Sequence, residues 1–433
     1  MPMNKEFQRL LYPAVAQIVG EFDTAAHILT EQGIMKIGGR LIRAFWGLDY
    51  NNFFAVKACP NPAILKIMMK LGFGFDCSSI VELRLVRSIG AKPDKIMFTS
   101  NNTSLAEFKE ALAHGGCILN LDDISLIKKV PGKFPEFICF RYNPGGRRTG
   151  NSIIGEPAKA KYGITDAQFL DAYRFARARG AKRFGFHMMI CSNERRCGYF
   201  VDTIKMALEK AALLKRELGI EVEFINIGGG FGIPYRPDKK CKELNIELIG
   251  RRARTLFARF AKENGFRPRF FTECGRYITG PNGVIVCRII NRKDIYQTYL
   301  GVDSGMPDLM RPAMYGAYHH IHILTPRGNL RRGGRRKLMN IVGSICENCD
   351  RFTAKPRLFP ASVKVGDLVV VHDTGAHGIA MGFNYNGRKR SQELLIRLDG
   401  SVVRIGRAQT DSDLLRTYQS RGRSLKLKKL ARN

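Results

Sequence analysis

Residues 51–77 read NNFFAVKACPNPAILKIMMKLGFGFDC, and their pattern decides the fold. Asn52 to Val56 is a short, aromatic-rich apolar run, and Pro60 and Pro62 follow it at the place where a helix takes its first turn. Ile64, Ile67, Met68 and Leu71 then recur at three- and four-residue spacing, which puts them on one buried helical face. Phe73 to Cys77 opens a second apolar run. Strand, helix, strand is the unit of a parallel sheet, because parallel neighbours need a crossover between them.

The unit repeats outward. Further apolar runs at Lys95–Ser100, Cys117–Leu121, Phe137–Tyr142, Phe184–Ile190, Glu223–Ile227 and Phe270–Glu273 bring the predicted strands to eight. Ser79 with Glu82 and Ser104 with Glu107 have the spacing of capping boxes at helix starts between them. Eight such units over roughly 230–250 residues match a closed (β/α)8 TIM barrel, with an open doubly wound sheet as the alternative. After Arg276 the pattern turns to short strands, at Gly283–Asn291, Ile295–Val302, Asp367–His372 and Glu393–Arg397, with no long helix before Asp411. The expected architecture is α/β plus β: a barrel over residues 29–278, and a mainly β sandwich or barrel domain over 279–433 joined by 1–28.

The 433 residues carry 71 Lys and Arg against 38 Asp and Glu, a net charge of +33. Two basic runs, Arg327–Lys337 and Arg421–Arg432, are expected as loop and tail. Neither interleaves the aromatic residues that stack bases, so the charge reads as a solvated basic surface rather than a nucleic-acid site. No apolar run reaches the roughly 18–20 residues of a membrane span. Eleven cysteines without framework spacing, several inside apolar runs, fit a reducing, cytoplasmic setting.

In a barrel of this kind the active site lies just past the strand ends. Lys57 follows the first strand, where an apolar surround is expected to desolvate its amine and favour condensation with a carbonyl. Gly228, Gly229 and Gly230 end the seventh strand, where bare amides can approach an anion, and Glu273, Gly275 and Arg276 end the eighth. A lysine, a phosphate cradle and a carboxylate able to keep a pyridine nitrogen protonated are the parts that pyridoxal phosphate needs. His187, inside the sixth strand, is a candidate to stack on the ring.

Phe54-Ala-Val-Lys57-Ala-Cys-Pro-Asn-Pro62, Phe75-Asp-Cys-Ser-Ser79, Asn226-Ile-Gly-Gly-Gly-Phe-Gly232 and Glu273-Cys-Gly-Arg276 resemble the barrel motifs of the fold-type III, group IV decarboxylases of ornithine, arginine and diaminopimelate. Val302-Asp-Ser-Gly-Met-Pro-Asp-Leu-Met-Arg311-Pro-Ala-Met-Tyr315, Gly343-Ser-Ile-Cys346-Glu347-Asn-Cys-Asp350, His372-Asp-Thr-Gly-Ala-His-Gly378 and Asn384-Tyr385-Asn386 are similar to the diaminopimelate-specific branch. The resemblance implies pyridoxal phosphate on Lys57, its phosphate on Gly228–Gly230 and Arg276, and its ring nitrogen on Glu273. It also implies Tyr385 reaching cofactor and substrate, Cys346 as the acid supplied by the partner of a homodimer, and conversion of meso-diaminopimelate to L-lysine, the last step of that synthesis. Arg276 would share in holding substrate.

Diaminopimelate ends in a second amino-acid head, so the far end of the pocket must answer an ammonium and a carboxylate. Glu347 suits the first, and Arg311 with Tyr315 the second. The alternatives are an ornithine- or arginine-type, diamine-forming decarboxylase, and a non-catalytic relative acting by binding. Met189, Cys191, Cys274 and His377 depart from the commonest family pattern, and Cys191 leaves the cofactor loop open to question. Cys346 and Cys349 form a lone C-x-x-C able to silence the acid on oxidation. His319, His320 and His322 have the look of a ligand cluster, but the motif Tyr315-Gly-Ala-Tyr-His-His320 explains the first two without metal, and none is expected.

Overall fold

The computed structural model describes residues 4–150, 155–237 and 242–418, and within them each of the eight apolar runs holds a strand. The chain starts with a helix over Lys5–Phe22, strand β1 (Ala26–Thr30) and a helix over Glu31–Ala44. Then come β2 (Tyr50–Ala55), β3 (Gly74–Cys77), β4 (Ile96–Phe98), β5 (Ile118–Leu121), β6 (Phe137–Tyr142), β7 (Arg183–Met188), β8 (Phe224–Asn226) and β9 (Arg269–Thr272). Every neighbouring pair is parallel, and β2 pairs with β3 on one side and β9 on the other. That closes the barrel and excludes the open sheet.

Alternation along the strands divides two apolar populations. Phe53, Met97, Ile118, Cys139, Phe224 and Phe271 pack together as one cluster, while Phe54, Phe75 and Phe140 join the much larger core with the helices. Local signals set the helices. Ser104 and Glu107 form the capping box, Ser79 Oγ accepts from the Glu82 amide at 3.3 Å, and Pro62 begins the helix Pro62–Lys70 behind its cap Asn61. Ile64, Ile67 and Met68 of that helix are buried, as their spacing requires.

The remaining strands are β10 (Gly283–Asp294), β11 (Thr298–Val302), β12 (Ile321–Leu324), β13 (Arg336–Val342), β14 (Arg357–Pro360), β15 (Leu368–His372), β16 (Gln392–Ile396) and β17 (Val402–Gly406). They form one sheet in the order β14-β13-β11-β10-β1-β16-β17, with β15 pairing β10 and β12. Ile28, Val284, Val286 and Val370 pack under Phe7, Leu11 and Val15 of the first helix, while Ile285, Val369 and Val371 pack toward Leu300 and Ile341.

Two expectations change and a third is untested. The strand expected from Ile295 begins at Thr298, because Ile295 and Tyr296 sit exposed at the hairpin between β10 and β11. The basic run Arg327–Lys337 is not all loop: Arg336 and Lys337 open β13, whose first three residues face solvent and so tolerate charge. The run Arg421–Arg432 lies outside the described residues. The sheet touches the barrel at its functional end, where Asn61 Nδ2 donates to Glu393 Oε2 (2.9 Å) and the His377 amide donates to the Ala58 carbonyl (2.8 Å).

Candidate active site

Lys57 sits on the single turn Val56–Ala58 that follows β2. The expected desolvation is not found: its side chain is 54% exposed, and Nζ lies 3.7 Å from Oδ2 of the buried Asp76. The strand supplies an apolar floor beneath the turn, but the amine points out of it toward a carboxylate. Asp76, at the middle of β3, is pushed up to about 7 by burial and by Glu273, against the pull of Lys57. Its Oδ1 is buried without a hydrogen-bond partner among the described residues.

Glu273 behaves in the opposite way. Burial pushes it up, but His187, Lys57 and Arg141 outweigh burial and hold it below the usual carboxylate range. Its Oε1 accepts from Asn226 Nδ2 at 2.8 Å and lies 3.1 Å from His187 Nε2, which leaves Oε2 without a hydrogen bond among the described residues. His187 is thus placed against the carboxylate, with neither ring nitrogen in hydrogen-bond geometry. Two neighbouring carboxylates with environments that pull them apart are an acid–base arrangement: one stays ionised while the other exchanges a proton near neutrality.

The glycine turn is fixed by Asn226 as well, whose Oδ1 accepts from the Gly228 amide (2.8 Å). Gly228 and Gly230 have φ of +70° and +85°, and a Cβ on Gly229 would stand 2.5 Å from the Glu273 carbonyl oxygen. Side chains are excluded at all three positions. The Gly229 amide donates to the Met189 thioether at 3.2 Å, a weak acceptor that a phosphate oxygen outcompetes. The question over Cys191 is answered by packing: its carbonyl and Sγ would each lie 2.5 Å from a Cβ on Gly230, so the thiol lies close against the turn. Gly275 lets the end of β9 pack against the turn that bears Lys57, since its own Cβ would meet that of Ala58 at 2.6 Å. These residues fit a pyridine ring with a phosphate: an amine, an ionised carboxylate with a free oxygen, and a side-chain-free turn with an amide poorly satisfied.

A second cluster stands beside the first. Arg276 donates to Tyr235 Oη (2.6 Å), and the Arg311 guanidinium lies over the same ring at 4.7 Å. Arg311 also donates to His319 Nε2 (2.7 Å), while His319 Nδ1 is bonded to the His372 carbonyl (2.8 Å), which fixes the tautomer. Burial and Arg311 drive His319 well below its ordinary value, so it accepts as a neutral ring. Burial and Arg276 lower Arg311 itself, and no carboxylate pairs with it among the described residues. His377 lies within the field of Arg276, Arg311 and Lys57 and is driven down by burial and these cations. His320 and His322, the rest of the apparent ligand cluster, bond to each other (3.0 Å) and not to Arg311.

The third group does not join the others within this chain. The Cys346 amide donates to Asn386 Oδ1 (2.8 Å), which ties the Cys346–Glu347 loop to the turn that bears Tyr385. Asp350 supports that loop from below, accepting from the Ile345 amide at 2.9 Å and the Met306 amide at 2.6 Å. Cys346 and Glu347 are exposed, as are Tyr385 (51%) and Tyr315 (43%). No hydrogen bond, ion pair or ring contact links them to Lys57, Glu273 or the glycine turn among the described residues. Cys346 and Cys349 are both free. Asp76, Asn226, Met189, Tyr235 and His319 are the site residues that sequence reasoning left without a role.

Comparison with known proteins places the chain in a family. The family model for the pyridoxal-binding domain of pyridoxal-dependent decarboxylases matches residues 35–280. The chain is 43% identical over 413 residues to the protein TabA of Pseudomonas amygdali pv. tabaci, covering 95% of each. It is 33% identical over 418 residues, again 95% of each, to the diaminopimelate decarboxylase of Methanothermobacter thermautotrophicus. The crystal structure of diaminopimelate decarboxylase from M. jannaschii superposes with a TM-score of 0.83 at 28% identity, covering 93% of each chain.

Proposed function

This chain belongs to the fold-type III pyridoxal-dependent decarboxylases, and from that premise we propose that it converts meso-diaminopimelate to L-lysine and carbon dioxide. We place it in the cytoplasm as a homodimer with shared active sites. The free cysteines among the described residues support a reducing compartment.

The bound cofactor, pyridoxal phosphate, supplies an electron sink for the pair released as the carbon–carbon bond breaks. Lys57 is its covalent anchor. Gly228, Gly229, Gly230 and Arg276 receive the phosphate, Glu273 Oε2 holds the ring nitrogen's proton, and His187 steadies that carboxylate from the other oxygen. Asp76, balanced near neutrality, takes up and returns protons at Lys57 Nζ. At the far end Arg311 grips the distal carboxylate through two parallel hydrogen bonds, with Tyr315 beside it, while Tyr385 and Glu347 meet the amino groups. Cys346 Sγ–H delivers the proton to the carbon that has lost its carboxylate. The Cys346 loop is exposed and makes no contact with the cofactor groups of its own chain among the described residues, which supports a site shared between subunits.

The observation that carries this reading is Arg311, a buried guanidinium with a neutral histidine and a phenol for company. A buried charge without a counterion costs several kcal/mol, and a substrate carboxylate removes that cost. The name TabA specifies no substrate, so the choice rests on this chemistry and on the named decarboxylases. Carbon dioxide release from meso-diaminopimelate, L-ornithine and L-arginine at equal concentration tests it, with preference for the first by about 10³-fold or more expected. Equal or faster turnover of ornithine discards the reading in favour of a diamine-forming enzyme. No turnover of any of the three, with cofactor bound, discards it in favour of another amino acid with a distal head or a binding role.

A further inference from the structure

Nothing in the decarboxylase reading uses the excess of positive charge, and one large cleft is where that charge converges. We propose that the cleft lined by β12, β13 and β14 binds a small polyphosphorylated anion. The cleft has a volume of about 1060 Å3, at the upper end of the range for small-molecule sites. Arg236, Arg332, Arg336, Lys355 and Arg357 line it, and among the described residues no aspartate or glutamate does. None of these five forms an ion pair among the described residues; a sixth lining cation, Arg331, is neutralised by Asp367 at 2.7 Å.

The side walls show that the charge is uncompensated rather than merely exposed. Arg357 is lowered by burial and by its neighbour Arg236, both of which lie over the Tyr318 ring, at 4.1 and 4.8 Å. His320 and His322 line the cleft as well. Burial brings each down to about 4, helped by Arg357 for His320 and by Arg332 for His322. Their ring nitrogens bond to one another and to His372, so the unpaired arginines and lysine set the surface, which is rich in donors and the complement of phosphate oxygens.

The shape and the aromatic content choose between anions. A single phosphate neutralises at most two of five cations, so two or more linked phosphates are required. A nucleic-acid strand needs an open track with free aromatic faces, and here Tyr318 already carries two guanidinium groups while Phe359 is buried. The occupant is therefore compact, and recognised through its phosphates.

Inorganic triphosphate is the probe, titrated calorimetrically into the full-length holoenzyme at about 150 mM salt, where loose surface attraction is screened. Saturable binding at one site per chain is expected. In a variant carrying Arg332→Glu, Arg336→Glu and Lys355→Glu, all exposed and outside the catalytic machinery, affinity should fall at least about tenfold. A second variant, Lys66→Glu, Lys109→Glu and Lys128→Glu, makes the same change in net charge elsewhere and should bind as the parent does. Equal loss in both variants, equal affinity for orthophosphate, or tighter binding of a single-stranded oligonucleotide abolished by the cleft variant would each overturn the proposal. Unchanged circular dichroism keeps the cleft variant interpretable.

Discussion

In the proposed reaction the mouth of the barrel and the Cys346–Glu347 loop carry the two halves, and they are built in opposite ways. Beside Lys57, Glu273 and Asn226 are buried and bonded to each other, and Asn226 alone fixes both Glu273 and the glycine turn. The loop is exposed, with its backbone and not its side chains held in place, by Asn386 and Asp350. Groups buried on the rigid ends of parallel strands are preorganised within a single chain. Groups presented on a fixed but open loop become a site only when another surface meets them. The contrast assigns the chemistry common to the family to the barrel and the choice of substrate to the assembled edge.

Lys57→Ala breaks the barrel side. Carbon dioxide release should fall by about 10³-fold or more, with loss of the bound cofactor's visible absorbance. Cys346→Ala should lose turnover but keep that absorbance, since nothing joins Cys346 to the cofactor groups within one chain. If the two inactive proteins are unfolded and refolded together in equal amounts, half the dimers are mixed and each mixed dimer has one intact site, so about one quarter of the parent activity should return. No recovery would place Cys346 in its own chain's site. Arg311→Lys removes the bidentate grip and should lower kcat/KM for meso-diaminopimelate by about 10- to 100-fold, mainly through KM. Glu347→Asp shortens the reach to the distal ammonium by one methylene, with a loss of about tenfold and unchanged cofactor content.

The same contrast explains what the sequence could and could not reveal. Lys57, Gly228–Gly230 and Glu273 were legible because strand periodicity says where a strand ends, and barrel geometry says what strand ends do. Asp76 and Asn226 lie inside strands, where periodicity registers only apolar neighbours. The available signal was a lone acid in the run Phe73–Cys77, since an acid in an apolar strand needs a partner. Tyr235 was out of reach, because its contact with Arg311 forms between the barrel and the sheet domain, and His319 gains its role only from the fold within the sheet domain that turns its ring onto Arg311. The error over Lys57 has the same source: the apolar strand before it describes its floor, whereas its exposure depends on how the barrel mouth opens.

The smallest expected effect tests the electrostatics of the barrel mouth directly. Asp76 titrates near 7 in the folded chain and near 3.9 when unfolded, so between those values the folded state holds the extra proton. Stability contributed by this group therefore falls as pH rises from about 4 to about 7, and above that its burial as an anion is a standing cost. Asp76→Asn removes the titration. Melting of cofactor-stripped protein should show parent and variant alike at pH 4 and the variant more stable at pH 8, by about 1 °C for each kcal/mol relieved. The variant should also lose the activity step near neutrality if Asp76 exchanges protons with Lys57. A variant less stable than the parent at pH 8 would mean that Lys57, despite its exposure, holds Asp76 ionised, and the division between one ionised and one proton-exchanging carboxylate would fail.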